Sequence, residues 1–354
     1  MRDISTLGAP FARACAGSSW RAADFPTVQT KGASCVSIPC FFHVSCEESC
    51  HLVTNNRIAV VTGGNKGIGL EVCRQLAGSG VAVVLTARDE TRGAAAVEKL
   101  RQAGLSDVIF HQLDVTDALN IAPLAGFLKS RFGKLDILVN NAAVGGAEYV
   151  PDLVYPSATG DDPFAGMNEG KMSEWMRQNT RETYNSAKET LRTNYYGTKH
   201  VTEGLLPLLQ ASTDGRIVNV SSVIGQLRYF ISEELKQELD DVDKLSKERL
   251  DEMLGSFKKD FTAGTVEANG WPVGFSAYKV AKAAMNSYTR ILARRHPGLR
   301  VNCVHPGFVK TDMNKLTGIL APEQGASNVV KVALLHAGGP TGRYFAVGHE
   351  APFV

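Results

Sequence analysis

The chain has 354 residues, of which 44% are hydrophobic and 21% charged, a balance that excludes a wholly disordered protein. Its 38 basic and 36 acidic side chains leave a net charge of +2 without any long basic run, so neither a nucleic acid nor a charged membrane surface is expected as a partner. The longest apolar runs are too short to span a bilayer, and we therefore expect a soluble protein.

Residues 1–56 differ from the rest of the chain because they hold five of the seven cysteines and show no helical or strand periodicity. A zinc site is one interpretation, but Cys35-x4-Cys40 and Cys46-x3-Cys50 lack the paired short spacings typical of zinc ligands, so no metal is expected. The alternatives are a transit-type extension, which would direct the protein to a plastid, or an artefactual start of the gene model. The main body has only two cysteines, which favours a reducing, cytoplasmic location.

From residue 57 onward, short β-branched runs alternate with helical stretches. This alternation predicts one α/β domain over residues 57–354, a doubly wound Rossmann fold with a seven-stranded parallel sheet and helices on both faces. The predicted strands are Arg57–Thr62, Val81–Ala87, Val108–Leu113, Leu135–Asn140, Arg216–Val220, Arg300–Val304 and Arg343–Val347. The predicted helices are Ile68–Leu76, Thr91–Ala103, Leu119–Arg131, Arg181–Leu209, Ala277–Arg295 and Pro322–His336.

Two stretches interrupt the alternation, a loop over Gly145–Thr180 and a charge-rich insertion over residues 225–271. Both follow strands, at the carboxyl edge where an open α/β sheet binds its ligands, and loops of this length are often lids or binding loops. The insertion carries apolar residues at roughly helical spacing. We expect it to cover neighbouring helices within the same chain and to keep the protein monomeric.

Residues 58–69 form a strand, a glycine turn and the start of a helix. Glycines in such a turn let the backbone approach a pyrophosphate, which then binds to the free N–H groups of the helix. The pattern alone also fits an ordinary strand-to-helix turn, but its place on the first strand favours a dinucleotide site. The candidate cofactor-binding residues of this turn are Gly63, Asn65, Lys66, Gly67, Ile68 and Gly69.

The second strand ends with Ala87 and Arg88, where NAD-binding sites place an acidic side chain for the ribose hydroxyls. A guanidinium suits a 2′-phosphate, and Lys66 could add a second positive charge, so NADPH is favoured over NADH. The alternative is a surface arginine at a strand end. Asp89 lies one position further, where an acidic residue serves to cap a helix.

Tyr278 and Lys282 are predicted to lie on one face of a helix, at positions i and i+4. A free phenol has a pKa of about 10, and a nearby ammonium favours the phenolate, so we expect Lys282 to lower the pKa of Tyr278. The pair is then a candidate general acid/base. Alone, this spacing is weak evidence, because it occurs by chance on many helices.

Six motifs occur in an order that resembles the short-chain dehydrogenase/reductase superfamily across residues 57–354. They are Thr-Gly-x3-Gly-Ile-Gly at 62–69, Asn-Asn-Ala-Ala at 140–143, Thr193-Asn194, Asn-Val-Ser-Ser at 219–222, Tyr278-x3-Lys282 and Pro306-Gly307-x3-Thr311. Ala143 departs from the pattern, since many members have glycine there. The long insertion before Tyr278 is typical of the monomeric carbonyl reductases, and both long loops are similar to those of the plant neomenthol dehydrogenase and salutaridine reductase type.

The resemblance implies roles for individual residues. Tyr278 would donate a proton to the substrate oxygen, Lys282 would bind the nicotinamide ribose, and Ser222 rather than Ser221 would bind the carbonyl oxygen. Asn194 would anchor a water relay to Lys282, although it could also be an ordinary polar residue of a helix. The remaining implied cofactor contacts are Asp114 and Val115 at the adenine, Asn141 in the cofactor cleft, and Pro306, Gly307, Val309 and Thr311 at the nicotinamide carboxamide.

The resulting prediction is NADPH-dependent reduction of a ketone or aldehyde to an alcohol. Two alternatives stay open, a dehydrogenase that oxidises a secondary alcohol with NADP, and a catalytically idle dinucleotide-binding protein. The second requires the loss of a proton-handling residue, and none is lost. The residues suggest an apolar substrate pocket, which leaves terpenoid ketones, alkaloid ketones and reactive aldehydes as candidates; the apolar candidates are Val223, Ile224, Tyr229, Phe230, Phe308 and Met313.

Overall fold

The computed structural model describes residues 57–149, 171, 174–175, 178–316 and 318–354. The predictions for residues 1–56, including the cysteine spacings, fall outside these described residues. Within the described part, no helix is long and apolar enough to cross a membrane.

The core of the fold is one eight-stranded sheet with the strand order β3-β2-β1-β4-β7-β8-β9-β10. All neighbours are parallel except β9 and β10, which pair antiparallel. The strands of this sheet are β1 (Ile58–Val61), β2 (Ala82–Ala87), β3 (Val108–Gln112), β4 (Ile137–Asn140), β7 (Arg216–Val220), β8 (Arg300–His305), β9 (Tyr344–Ala346) and β10 (His349–Ala351). The seven predicted strands are therefore present, and the doubly wound fold is confirmed.

The eighth strand was not predicted. Strand β10 has only three residues and follows a tight turn at Gly348, where φ is +74°. A strand this short gives no clear alternating pattern, which is why the sequence did not reveal it.

Helices cover both faces of the sheet, and each face has its own hydrophobic cluster. Because side chains alternate along a strand, Ala59 and Val61 of β1 enter one cluster, and Ile58 and Val60 enter the other. The helices are α1 (Gly67–Gly78), α2 (Glu90–Gln102), α3 (Ile121–Phe132), α4 (Tyr184–Leu191), α5 (Thr198–Gln210), α6 (Glu233–Asp240), α7 (Lys247–Ala263), α8 (Ser276–Arg295) and α9 (Pro322–Ala333).

The predicted helix Arg181–Leu209 is present from Tyr184 to Gln210, but its geometry is not uniform. It divides into α4 and α5, which are joined by a π-helical turn over Arg192–Gly197 that contains Asn194. A π-helical turn places one extra residue in the helix, and such turns often occur at functional sites. A single extra residue is too small a change in the helical period to be seen in the sequence pattern.

The insertion forms α6 and α7, as its apolar spacing predicted. Leu250, Met253, Leu254 and Phe257 of α7 are buried, and both α6 and α7 pack against α8. The predicted loop before α4 contains a short antiparallel pair, β5 (Glu148–Tyr149) and β6 (Thr180–Arg181), in its described part.

Candidate active site

The carboxyl ends of the parallel strands bring the predicted site residues to one edge of the sheet. At the first of these ends, β1 runs into the glycine turn, where Gly63 and Gly67 have φ values of +63° and +54°. A Cβ atom on Gly69 would lie 2.3 Å from the backbone oxygen of Gly63, so a side chain there would force the turn open. Asn65 and Ile68, the other residues of the turn, are partly exposed.

Asn141 fixes this turn from the neighbouring strand. Its Nδ2 donates hydrogen bonds to the backbone oxygens of Thr62 (2.9 Å) and Gly63 (3.2 Å). The side-chain oxygen of Thr62 in turn accepts from the backbone N–H groups of Asn141 and Ala142, at 2.9 and 3.0 Å. The end of β4 and the glycine turn are thus joined by four hydrogen bonds, which leaves the N–H groups at the start of α1 available for a pyrophosphate.

Arg88 is exposed at the end of β2, in the position that faces a nucleotide ribose. The nearby Asp89 does not compete for that role, because its Oδ1 accepts from the N–H of Arg92 at 2.8 Å and caps α2. Lys66 lies in the glycine turn and is exposed, and its role as a second 2′-phosphate contact stays a prediction. Its Nζ is 2.6 Å from Oδ2 of Asp312, a residue that the sequence analysis did not single out.

The predicted adenine contacts, Asp114 and Val115, lie in a segment that is held by local hydrogen bonds. Asp114 accepts at Oδ1 from the backbone N–H (2.9 Å) and the hydroxyl (2.8 Å) of Thr116, and Val115 packs beside Gly197 in the π-helical turn. This segment follows β3, at the edge of the sheet that also holds the glycine turn.

The segment after β8 turns sharply at Gly307, where φ is +98°. Pro306 is held by Asn328, whose Nδ2 donates to its carbonyl at 3.0 Å, and Val309 is buried. The Cγ2 of Thr311 would lie 3.5 Å from a Cβ on Gly67, so this segment closes against the glycine turn.

The catalytic candidates meet at the start of α8. The side chain of Ser222, which follows β7, lies close enough to the phenol of Tyr278 to lower its pKa. The Nζ of Lys282 lies 5.6 Å from the centroid of the Tyr278 ring and donates to the backbone oxygen of Val220 at 2.6 Å. Ser221 points elsewhere, because its Oγ donates to the buried Oδ1 of Asn286 at 2.6 Å.

Burial changes the pKa values of Tyr278 and Lys282, and for Tyr278 the direction is opposite to the sequence-based expectation. Desolvation raises the pKa of Tyr278 to about 12, and the side chain of Ser222 opposes this increase only in part. Desolvation also lowers the pKa of Lys282 to about 7. The expected lowering of the tyrosine pKa by Lys282 is therefore outweighed, because removal from water disfavours the charged form of both groups.

Asn194 lies in the π-helical turn and is buried. Its side chain makes two hydrogen bonds to Val144, accepting from the backbone N–H at 2.8 Å and donating to the backbone oxygen at 2.9 Å. Asn194 thus holds the segment that follows β4, and its own backbone oxygen accepts from the Thr198 hydroxyl at 3.0 Å. These contacts are more specific than those of an ordinary polar residue on a helix, and the water relay to Lys282 that the resemblance implies stays a prediction.

The apolar candidates for the substrate pocket differ in how far they are buried. Phe230 is buried and packs against Trp271 with ring centroids 6.3 Å apart, so it belongs to the core beneath the insertion. Met313 is 43% exposed and lies beside Gly145, where it can contact a ligand.

Glu182 is a site residue that the sequence did not indicate. Its carboxylate accepts hydrogen bonds from the first residues of α8, although 94 residues separate it from Ser276. Contacts over such distances along the chain leave no local signal in the sequence.

The family model described as short chain dehydrogenase matches residues 57–233, and the model described as Enoyl-(Acyl carrier protein) reductase matches residues 262–341. The chain is 49% identical to the salutaridine reductase of Papaver bracteatum over 310 residues, which cover 86% of this chain and 99% of that protein. It is 38% identical over 300 residues to carbonyl reductase [NADPH] 1 of Homo sapiens, covering 81% of this chain and 95% of that protein.

Among solved structures, the salutaridine reductase of Papaver somniferum is similar with a TM-score of 0.74 at 46% identity, covering 82% of this chain and 99% of that one. A Rossmann fold with a tyrosine–lysine–serine site at its carboxyl edge defines an oxidoreductase that uses a dinucleotide. The chain belongs to the short-chain dehydrogenase/reductase family, and the predicted similarity to its plant reductases is confirmed.

Proposed function

We propose that this protein reduces a ketone or aldehyde carbonyl to an alcohol, with NADPH as the source of the hydride. One observation carries the proposal. The phenol of Tyr278 lies beside Lys282, and near enough to Ser222 for that side chain to lower its pKa, at the sheet edge that also holds the glycine turn. An acid, a second hydroxyl and a cation are thus gathered where a dinucleotide can bind.

The bound dinucleotide supplies the hydride, and the side chains of this chain handle the oxygen and the proton. The hydroxyls of Ser222 and Tyr278 bind the carbonyl oxygen and stabilise the negative charge that develops there. Tyr278 then transfers its proton to that oxygen. Because burial raises the pKa of Tyr278 to about 12, the phenol is protonated at neutral pH, which is the form that a reduction requires.

The residues of the cofactor end fit NADPH. The three glycines and Asn141 shape a turn that can accept a pyrophosphate, and no acidic residue occupies the end of β2. The exposed guanidinium of Arg88 suits a 2′-phosphate. Arg88 and Lys66 are the two candidate cations for this phosphate, since the ion pair of Lys66 with Asp312 leaves both side chains exposed. The name of the human relative includes NADPH, in agreement with this assignment.

We further propose that the protein is a monomer. The insertion helices α6 and α7 pack against α8, and on α7 Asp251 forms an ion pair with Lys199 of α5. Apolar residues of α7, including Leu250 and Phe257, are buried in the same interface. A helix surface that is covered within the chain cannot also form a subunit interface. Light scattering on the intact protein at micromolar concentration tests this, and a stable dimer would contradict it.

We also propose a cytoplasmic location, because Cys73 and Cys303 are both free thiols. A fluorescent fusion of the full chain, compared with a fusion of residues 57–354, tests the assignment. Plastid fluorescence that requires residues 1–56 would instead support the transit-type interpretation.

The direct test of the function is a screen with purified protein. Terpenoid ketones, alkaloid ketones and reactive aldehydes are each incubated with NADPH or NADH, and consumption of the cofactor is followed together with formation of the alcohol. We expect reduction with NADPH at neutral pH and much slower oxidation of the product alcohol by NADP. Tyr278→Phe serves as the inactive control. Efficient oxidation without reduction would favour the dehydrogenase alternative, and cofactor binding without any turnover would favour the idle protein.

A further inference from the structure

The helix that carries Tyr278 lacks an N-terminal cap of its own. The residue at the cap position of α8 is Phe275, in the left-handed region with φ of 52°, and its side chain makes no capping hydrogen bond. The first N–H groups of a helix have no partner within the helix and need one from elsewhere. In α8 that partner comes from a distant part of the chain.

Glu182 supplies the missing cap. Its Oε2 accepts from the backbone N–H of Ser276 at 2.8 Å and from the Ser276 hydroxyl at 2.9 Å, while its Oε1 accepts from the N–H of Ala277 at 3.1 Å. Three donors thus converge on one carboxylate, immediately before Tyr278. A negative charge at this end of a helix is also favoured by the helix dipole.

The position of Glu182 along the chain links this cap to a second part of the site. It lies between β6 and Thr183, whose side chain caps α4. Helix α4 packs against α8 and continues into the π-helical turn that contains Asn194. Glu182 therefore joins the element that positions Asn194 to the first turn of the helix that carries Tyr278.

We propose that Glu182 is a positioning residue for Tyr278. By binding Ser276 and Ala277 it fixes the rotation and axial position of the first turn of α8, so that the phenol meets Ser222. The carboxylate itself takes no part in proton transfer. Positioning errors of about 1 Å can cost roughly 10²-fold in rate, so the loss of this cap should affect turnover more than it affects binding.

The test uses the full chain with three substitutions. Glu182→Ala removes the cap and should lower kcat by about 10- to 100-fold, with the NADPH dissociation constant unchanged. Glu182→Gln retains one acceptor oxygen for Ser276 but turns its amide N–H towards the N–H of Ala277, so a smaller loss is expected. Ser246→Ala, which uncaps α7 where Ser246 accepts from Arg249 N–H at 3.1 Å, is the matched control and should leave kcat unchanged.

Hydrogen exchange at the amides of residues 276 and 277 gives a readout that needs no substrate. Both amides should exchange faster in Glu182→Ala, only the amide of residue 277 should exchange faster in Glu182→Gln, and neither should change in Ser246→Ala. The proposal rests on the proposed reductase function for its kinetic part only, because a wild-type protein without reductase activity would refute that function and leave the exchange result interpretable. Unchanged exchange in Glu182→Ala, or wild-type kcat in that variant, would overturn the role of Glu182. If Glu182→Ala does not fold, unchanged exchange and kcat in Glu182→Gln overturn it equally.

Discussion

The cofactor end and the catalytic end of the site share one sheet edge, but they are built differently. The cofactor end is centred on one continuous stretch, β1 with the glycine turn, which presents backbone groups, and segments after other strands, such as the exposed Arg88, complete it. The catalytic end gathers Asn194, Ser222 and Tyr278 from three separate segments, and Lys282 there is almost fully buried.

This difference follows from the two tasks. A phosphate is bound by N–H groups and cations that retain their charge in water, so local backbone geometry is sufficient. Proton transfer depends on the pKa values of the groups involved, and burial changes those values strongly. The low pKa of Lys282 and the high pKa of Tyr278 both arise from burial.

The largest expected effect is a loss of turnover that leaves cofactor binding almost unchanged. Tyr278→Phe should reduce turnover by about 10²- to 10⁴-fold and leave NADPH affinity nearly unchanged, because only the transferable proton is removed. Steady-state kinetics and fluorescence titration measure the two quantities. Tyr288→Phe, another buried tyrosine of α8, is the control and should retain wild-type turnover. Substantial activity in Tyr278→Phe would remove the basis of the proposed mechanism.

Two adjacent serines of the catalytic end, Ser221 and Ser222, should respond differently to substitution. Ser222→Ala should lower kcat by about 10²-fold, because a hydrogen bond to the developing charge is lost. Ser221→Ala should leave catalysis largely intact but cost about 1–3 kcal/mol of stability, since the buried Oδ1 of Asn286 loses its partner. Kinetics and urea unfolding distinguish the two effects, and a reversed pattern would assign the catalytic role to Ser221.

At the cofactor end, Arg88→Ala should weaken NADPH binding far more than NADH binding. The lost charge-assisted contact to the 2′-phosphate corresponds to about 1.5–3 kcal/mol of discrimination, roughly 10- to 100-fold. Binding of both cofactors is measured by titration. Arg92→Ala, an exposed arginine of α2 paired with Asp89, is the control. Equal losses for NADPH and NADH in Arg88→Ala would indicate a structural role.

The smallest effect is a change in melting temperature, in a variant that should also be inactive. Lys282→Met should abolish turnover yet raise the melting temperature by about 2–4 °C at pH 7, because a buried ammonium is replaced by an apolar chain. The pKa of Lys282 is about 7 in the folded protein and higher when unfolded, so the unfolded state binds more protons above pH 7. The cost of burying Lys282 is thus complete below pH 7 and declines as pH rises. Calorimetry should show the gain shrinking towards pH 10, and a gain independent of pH would contradict this account.

The sequence alone determined the fold and the cofactor end. Alternating strand and helix periods reflect which faces are buried, and the conformational freedom of Gly63 and Gly67 is a property of residue type, so both can be deduced without the structure. The sequence also predicts Tyr278, Lys282 and Ser222 as catalytic residues, because their motifs occur in order along the chain. Strand β10 was missed because three residues carry too little pattern.

Only the tertiary structure decided which contacts hold the catalytic residues and how burial changes their pKa values. The pKa of Tyr278 is raised although its sequence neighbour Lys282 suggested the opposite, because desolvation depends on everything packed around the phenol. The π-helical turn at Asn194 and the cap from Glu182 depend on partners 50 and 94 residues away. A sequence shows which groups a protein possesses, whereas their burial and their distant partners exist only once the chain has folded.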